Sequence, residues 1–121
     1  MQLSARAAFT QYLDIVNRAL GEHRDETPYR QVFELGEKTL GGKDIGVGMY
    51  KDNPNHPHGW FTVRLDDGTF DLVDDSKPDD PDLKWIVRRD HVDHVIEEPA
   101  EFIADPWKLD LDWLRSTVGL N

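Results

Sequence analysis

Four histidines have the spacing to make a chemical site. His56 and His58 are two apart in HPHG, and His91 and His94 are three apart in RDHVDHV. Neutral imidazole is a good ligand for zinc or nickel, so the two pairs can be drawn as a two-plus-two metal site. The first pair lies in a proline- and asparagine-rich stretch and the second on a helix surface, and nothing in the spacing joins them. The preferred reading is that all four are solvated side chains and that no cofactor is bound.

Carboxylates form the other concentration of chemistry. Between Asp66 and Asp82 there are eight acids and one lysine, a net −7 out of −10 for the chain. Hard cations take several carboxylate oxygens, but DDSKPDDPD lacks the alternate ligands, central glycine and terminal glutamate of an EF-hand loop. The stretch reads instead as a solvated loop that discourages pairing at a strand edge. It would also steer a basic protein partner. Nucleophilic catalysis has little material: there is no cysteine, and Ser4, Ser76 and Ser116 are outside any GxSxG elbow. Gly41-Gly42-Lys43 has no following Ser or Thr and is read as the end of a helix, not a phosphate loop. No spacing singles out an acid–base pair. The expectation is a non-catalytic protein.

These residues must be positioned by a chain of 121 residues, 38 % apolar, which is the size of one domain. An acidic balance of −10 opposes nucleic-acid binding, because like charges repel on approach. No apolar run nears the roughly 18 residues of a membrane span. The N-terminal stretch lacks a cleavable apolar segment, and the absence of cysteine fits a cytoplasmic protein.

Helical periodicity is plain at Ala5, Ala8, Phe9, Tyr12, Leu13, Val16, Ala19 and Leu20, which predicts a helix over 5–20 with Ser4 as N-cap and Gly21 as its stop. Thr27-Pro28 opens a second helix, 28–40, with Tyr29, Val32, Phe33, Gly36 and Leu40 on one face and Gly41-Gly42 ending it. From Asp44 the period becomes 2. DIGVGMYK, WFTVRL, TFDLV and LKWIVRR are read as four strands, the middle pair joined by an Asp66-Asp67-Gly68 turn. Gly46 and Gly48 on one face of the first strand signal close approach of a backbone or ligand there. Trp60, Thr62, Arg64, Thr69, Asp71 and Val73 form a mixed face suited to solvent. Asp90 is read as the cap of a short helix bearing Val92, Val95 and Ile96, with Pro99 as a stop or a new start. Asp105-Pro106 opens a last helix whose stripe is Trp107, Leu111, Leu114 and Val118, with Trp113 turned toward a second surface. Strands segregated from helices imply an α+β fold: a four- or five-stranded antiparallel meander with N-terminal and C-terminal helices packed on one face.

Residues 28–118 resemble the sterol carrier protein 2 (SCP2-like) fold. The stretches concerned are TPYRQVFELGEKTLGGKDIGVGMY, the WFTVRLDDGTFDLV hairpin and DLKWIVRRDHVDHVIEEPAEFIADPWKLDLDWL. The likeness lies in element order and a few positions: Trp85–Val87 for the strand, Asp90 for the helix start, Val92–Ile96 for the helix. The chain departs from the family at KLDLDWLRST, where members commonly have a small-residue strand containing Gly-Lys. The resemblance implies a lipid tunnel between sheet and helices. Large rings near such helices either fill a core or line a cavity. The expected function is therefore non-catalytic binding of a lipid-like or other apolar small molecule. Phe61, Val63, Phe70, Leu72, Trp85, Val92, Ile96, Phe102, Ile103 and Trp107 are the expected lining. The alternative is an acidic interaction module that binds a basic partner through residues 66–82.

Overall fold

A computed structural model describes residues 3–26, 29–66, 69–74 and 83–109. The first helix, α1 (Ala5–Glu22), starts where the sequence says it should: the Ala7 N–H donates to Ser4 Oγ at 3.1 Å. Its buried stripe is Ala8, Phe9, Tyr12, Leu13, Ile15, Val16, Ala19 and Leu20. Gly21 does not stop it. The helix runs through the glycine to Glu22 and is capped by His23, whose ring is held by groups outside the helix. Thr27 and Pro28 lie outside the described residues. Helix α2 (Tyr29–Leu40) ends at the glycine pair as expected. Gly42 has φ +76°, and a Cβ on Gly41 would come within 2.5 Å of the Glu37 carbonyl oxygen.

The four strands are β1 (Asp44–Tyr50), β2 (Gly59–Asp66), β3 (Thr69–Asp74) and β4 (Leu83–Arg88), in the order β3-β2-β1-β4. The first three form the expected antiparallel meander, with Val47 opposite Phe61 and Leu65 opposite Phe70. β4 departs from it. It pairs parallel with β1, Val47 opposite Trp85, so the sheet is mixed. The physical reason lies in β1, which is buried from Ile45 to Met49 on both faces. Backbone groups at that depth need ladder partners on both sides, and a meander would have left β1 at an edge. β3 suits the edge better, because Asp71, Val73 and Asp74 are exposed. The crossover is short in level: Asp74 is opposite Thr62, Thr62 opposite Gly46, and Gly46 opposite Lys84, so β4 begins at the height where β3 ends.

The apolar sheet face carries Ile45, Val47, Met49, Phe61, Val63, Leu65, Phe70, Trp85 and Val87, all buried. The reverse face is only partly solvated. Arg64, Thr69, Asp71 and Val73 are exposed as expected, but Thr62 is buried and Trp60 half-buried. At Gly48 the close approach foreseen is made by the chain itself. A Cβ on Gly48 would meet Pro57 Cγ at 3.0 Å, Ile86 Cδ1 at 3.1 Å and Trp60 Cη2 at 3.2 Å.

Helices α3 (Arg89–Glu97) and α4 (Pro99–Ala104) and a 3-10 turn (Pro106–Leu109) complete the described chain. They gather around α1 on the apolar face, while α2 meets β2. Asp90 is not the cap of α3: the strand continues to Arg88, which takes the cap position, and Asp90 falls in the first turn, where a carboxylate still opposes the helix dipole favourably. Pro99 starts α4, and Pro106 opens the 3-10 turn. The expected stripe at Leu111, Leu114 and Val118, with Trp113, lies outside the described residues.

Three polar side chains tie these layers together. The buried Tyr12 hydroxyl donates to the Leu109 carbonyl at 2.5 Å. The buried Arg89 guanidinium donates from Nη2 to the Leu3 carbonyl at 2.6 Å and from Nε to Asp93 Oδ1 at 3.0 Å. Asn17 of α1 reaches β3, accepting from the Phe70 N–H at 2.8 Å and donating to the Phe70 carbonyl at 2.9 Å.

Candidate functional site

The residues expected to line a cavity do share one layer. Phe61, Val63, Phe70, Trp85, Val92 and Phe102 are buried in a continuous core, and Leu72, Ile96 and Ile103 are partly buried against it. The side chain of Trp107 lies outside the described ones. What the sequence reading missed is the contribution of α1 to the middle of that layer. Phe9 stacks on Phe61 with ring centroids 4.5 Å apart and meets Trp85 edge-on at 6.2 Å. Tyr12 lies 5.9 Å from Trp85, and Phe70 lies 6.1 Å from it on another side. The rings expected to surround a ligand touch one another and the rings of α1. The signal was present in the helix stripe, where two of the apolar positions are aromatic.

Open space occurs one layer outward, along the seam between α1 and α4. One cleft of about 430 Å³ is lined by Arg18, Glu22, His23, Ala100, Ile103 and Ala104. A second of about 460 Å³ is lined by Thr10, Gln11, Asp14, Ile15, Arg18 and Pro99. The two share Arg18. The sequence explains the opening: α4 is a short helix that begins with proline and lines the first groove with the small Ala100 and Ala104 beside Ile103. On the facing helix, Asp14, Arg18 and Glu22 follow at i, i+4 and i+8 and project on one side. Arg18 makes no ion pair with any described residue. The seam thus combines an apolar wall (Ile15, Pro99, Ala100, Ile103, Ala104) with Arg18, which stands between the carboxylates of Asp14 and Glu22. Of the described residues expected to bind ligand, only Ile103 lines it.

His23 closes one end. Its Nδ1 meets the Glu26 carboxylate, and its Nε2 lies 2.8 Å from the Ile103 carbonyl oxygen. Burial pushes its pKa down, but the hydrogen bonds to Ile103 and Glu26, with the charges of Glu26 and Glu22, outweigh this and hold it above the ordinary value of 6.5.

The four histidines of the metal hypothesis go to different surroundings. His56 and His58 are exposed in the loop before β2, their backbone N–H groups donating to Asn53 and Met49. Burial, then the charges of Arg89 and Lys51, lowers the pKa of His58, with Asp93 acting against them. His91 and His94 flank the Phe102 ring at 5.7 and 5.3 Å. Among the described residues, no three His, Asp or Glu side chains are grouped to hold a metal ion. In the acidic stretch, Asp66, Asp71 and Asp74 stand exposed, and its remaining acids lie outside the described residues. No described helix is long and apolar enough to cross a membrane. No protein-family model, curated protein or solved structure matches the chain.

Proposed function

We propose that the protein is a non-catalytic binder of an apolar-tailed small molecule with an anionic head, taken along the α1–α4 seam. The observation that carries this is the pair of adjoining shallow grooves that share Arg18, which makes no ion pair among the described residues. Small-molecule sites are commonly concave and apolar with a few convergent polar groups. Here the tail would lie on Ile15, Pro99, Ala100, Ile103 and Ala104, and the head would face the Arg18 guanidinium. The proposal keeps the ligand class that the SCP2-like resemblance suggests and moves the site outward from the ring-filled interior. Laurate, titrated below its micellar range, should shift amide resonances of residues 14–22 and 100–104. Dodecanol should bind more weakly, and Arg18→Gln should weaken laurate by about fivefold, the scale of an exposed ion pair. Equal binding of the alcohol and the acid, or no shift along the seam, would sink the proposal.

A second reading, an acidic module for a basic protein partner, is favoured by a separate observation. Asp71 and Asp74 are exposed on the edge strand β3, and Asp66 is exposed at the end of β2. Under this reading Asp71→Asn with Asp74→Asn weakens association with a lysine-rich peptide at low salt. A matched neutralisation away from the sheet, Asp25→Asn in the turn after α1 with Glu34→Gln on α2, leaves it nearly unchanged. Equal losses from both pairs would reduce the effect to net charge alone.

A further inference from the structure

We propose that His23 is a pH-operated clasp between the end of α1 and α4: the imidazolium holds the Glu26 carboxylate and the Ile103 carbonyl together, and the neutral ring must let one of them go. Both partners are acceptors with no hydrogen to offer. A neutral imidazole has one N–H, so at either nitrogen the deprotonated ring would set a lone pair against an oxygen. Only the doubly protonated ring satisfies both contacts.

The charged surroundings favour that form. Glu22 and Arg18 share the cleft with His23 on the α1 side, and Glu26 comes from the turn after it. From α4 the cleft receives Ala100, Ile103 and Ala104, which carry no charge. Glu101 of the same helix is paired with Lys108 at 3.4 Å. The two carboxylates therefore outnumber the one guanidinium around the ring, consistent with its raised pKa.

The sign follows from linkage. A histidine whose folded pKa lies above its unfolded value adds stability that is complete below 6.5 and is lost as pH rises through the folded value. The loss is local. Phe102 remains buried against His91 and His94, so α4 keeps an apolar anchor while its tie through Ile103 weakens. The clasp does not depend on whether the seam takes a ligand.

Amide hydrogen exchange of residues 100–104, corrected for intrinsic rates and referenced to core amides of α1, tests this between about pH 5.5 and about 8.5. In the wild-type protein, α4 opening should become about tenfold more frequent across that range, the scale of one hydrogen bond, and in His23→Gln it should be flat. Ring-nitrogen NMR of the wild-type chain gives a readout that needs no variant: both nitrogens should stay protonated past pH 6.5. Flat wild-type protection, the same rise in His23→Gln, or loss of the ring proton below 6.5 would each overturn the clasp.

Discussion

Phe9→Ala will cost about 3–5 kcal/mol of folding stability, measured by urea unfolding. The ring is fully buried and stacks on Phe61 at 4.5 Å, with Trp85 and Tyr12 each 6.2 Å away. Truncation removes the transfer free energy of the ring and leaves a void that its aromatic neighbours, each held by others, cannot collapse to fill. The size of the loss decides between two pictures of the interior. If a ligand-sized hollow lay beneath Trp85, Phe9 would border empty space, the cavity contribution would be largely absent, and the cost would fall below about 2 kcal/mol. A full loss assigns the rings to structure and leaves ligand binding to the seam.

Arg89→Ala should be nearly as damaging, at about 3 kcal/mol. Among the described residues Arg89 is the only charged one that is buried, its side chain 4 % exposed. It joins the start of the described chain, through the Leu3 carbonyl, to Asp93 of α3. Removing it empties a buried site, takes a donor from the Leu3 carbonyl and leaves the partly exposed Asp93 without its cation. Arg89→Lys should recover little, since one ammonium cannot reproduce a fork aimed at two acceptors. Arg64→Ala is the control: its pair with Asp44 is 2.6 Å long but lies open to water, and its loss should cost under about 1 kcal/mol. Losing the Arg89 charge should also let the pKa of His58 rise, since that charge helps to hold it down. If Arg89→Ala and Arg64→Ala unfold at the same urea concentration, the assigned role of Arg89 is wrong.

How far the sequence could be read depends on whether an element is specified locally. Ser4, the helical spacing from Ala5 to Leu20 and the Gly41-Gly42 ending are local signals, and each element formed accordingly. The meander of β1, β2 and β3 followed from alternation at Ile45, Val47, Phe61, Val63, Phe70 and Leu72. The partner of β4 was not legible, because nothing in LKWIVR states which strand it joins. The clue lay in β1, where glycine at the two interior reverse-face positions, Gly46 and Gly48, marks a strand covered on two sides. The core residues were readable for the same reason as the strands. The seam was not, because it depends on how small α4 is where it meets α1. His23 was invisible as a functional group: one of its partners is a backbone carbonyl 80 residues away, which leaves no trace in residue type.

The side-chain amide of Asn17 has a consequence for crowded solution. By taking both the N–H and the carbonyl of Phe70, it occupies one residue's pair of the backbone groups that a second molecule would use to extend the sheet past β3. An incoming chain would first have to displace a covalently anchored competitor and then settle beside Asp71 and Asp74. Side-by-side polymerisation through β3 is thus opposed both by occupied bonding groups and by repulsion between like charges.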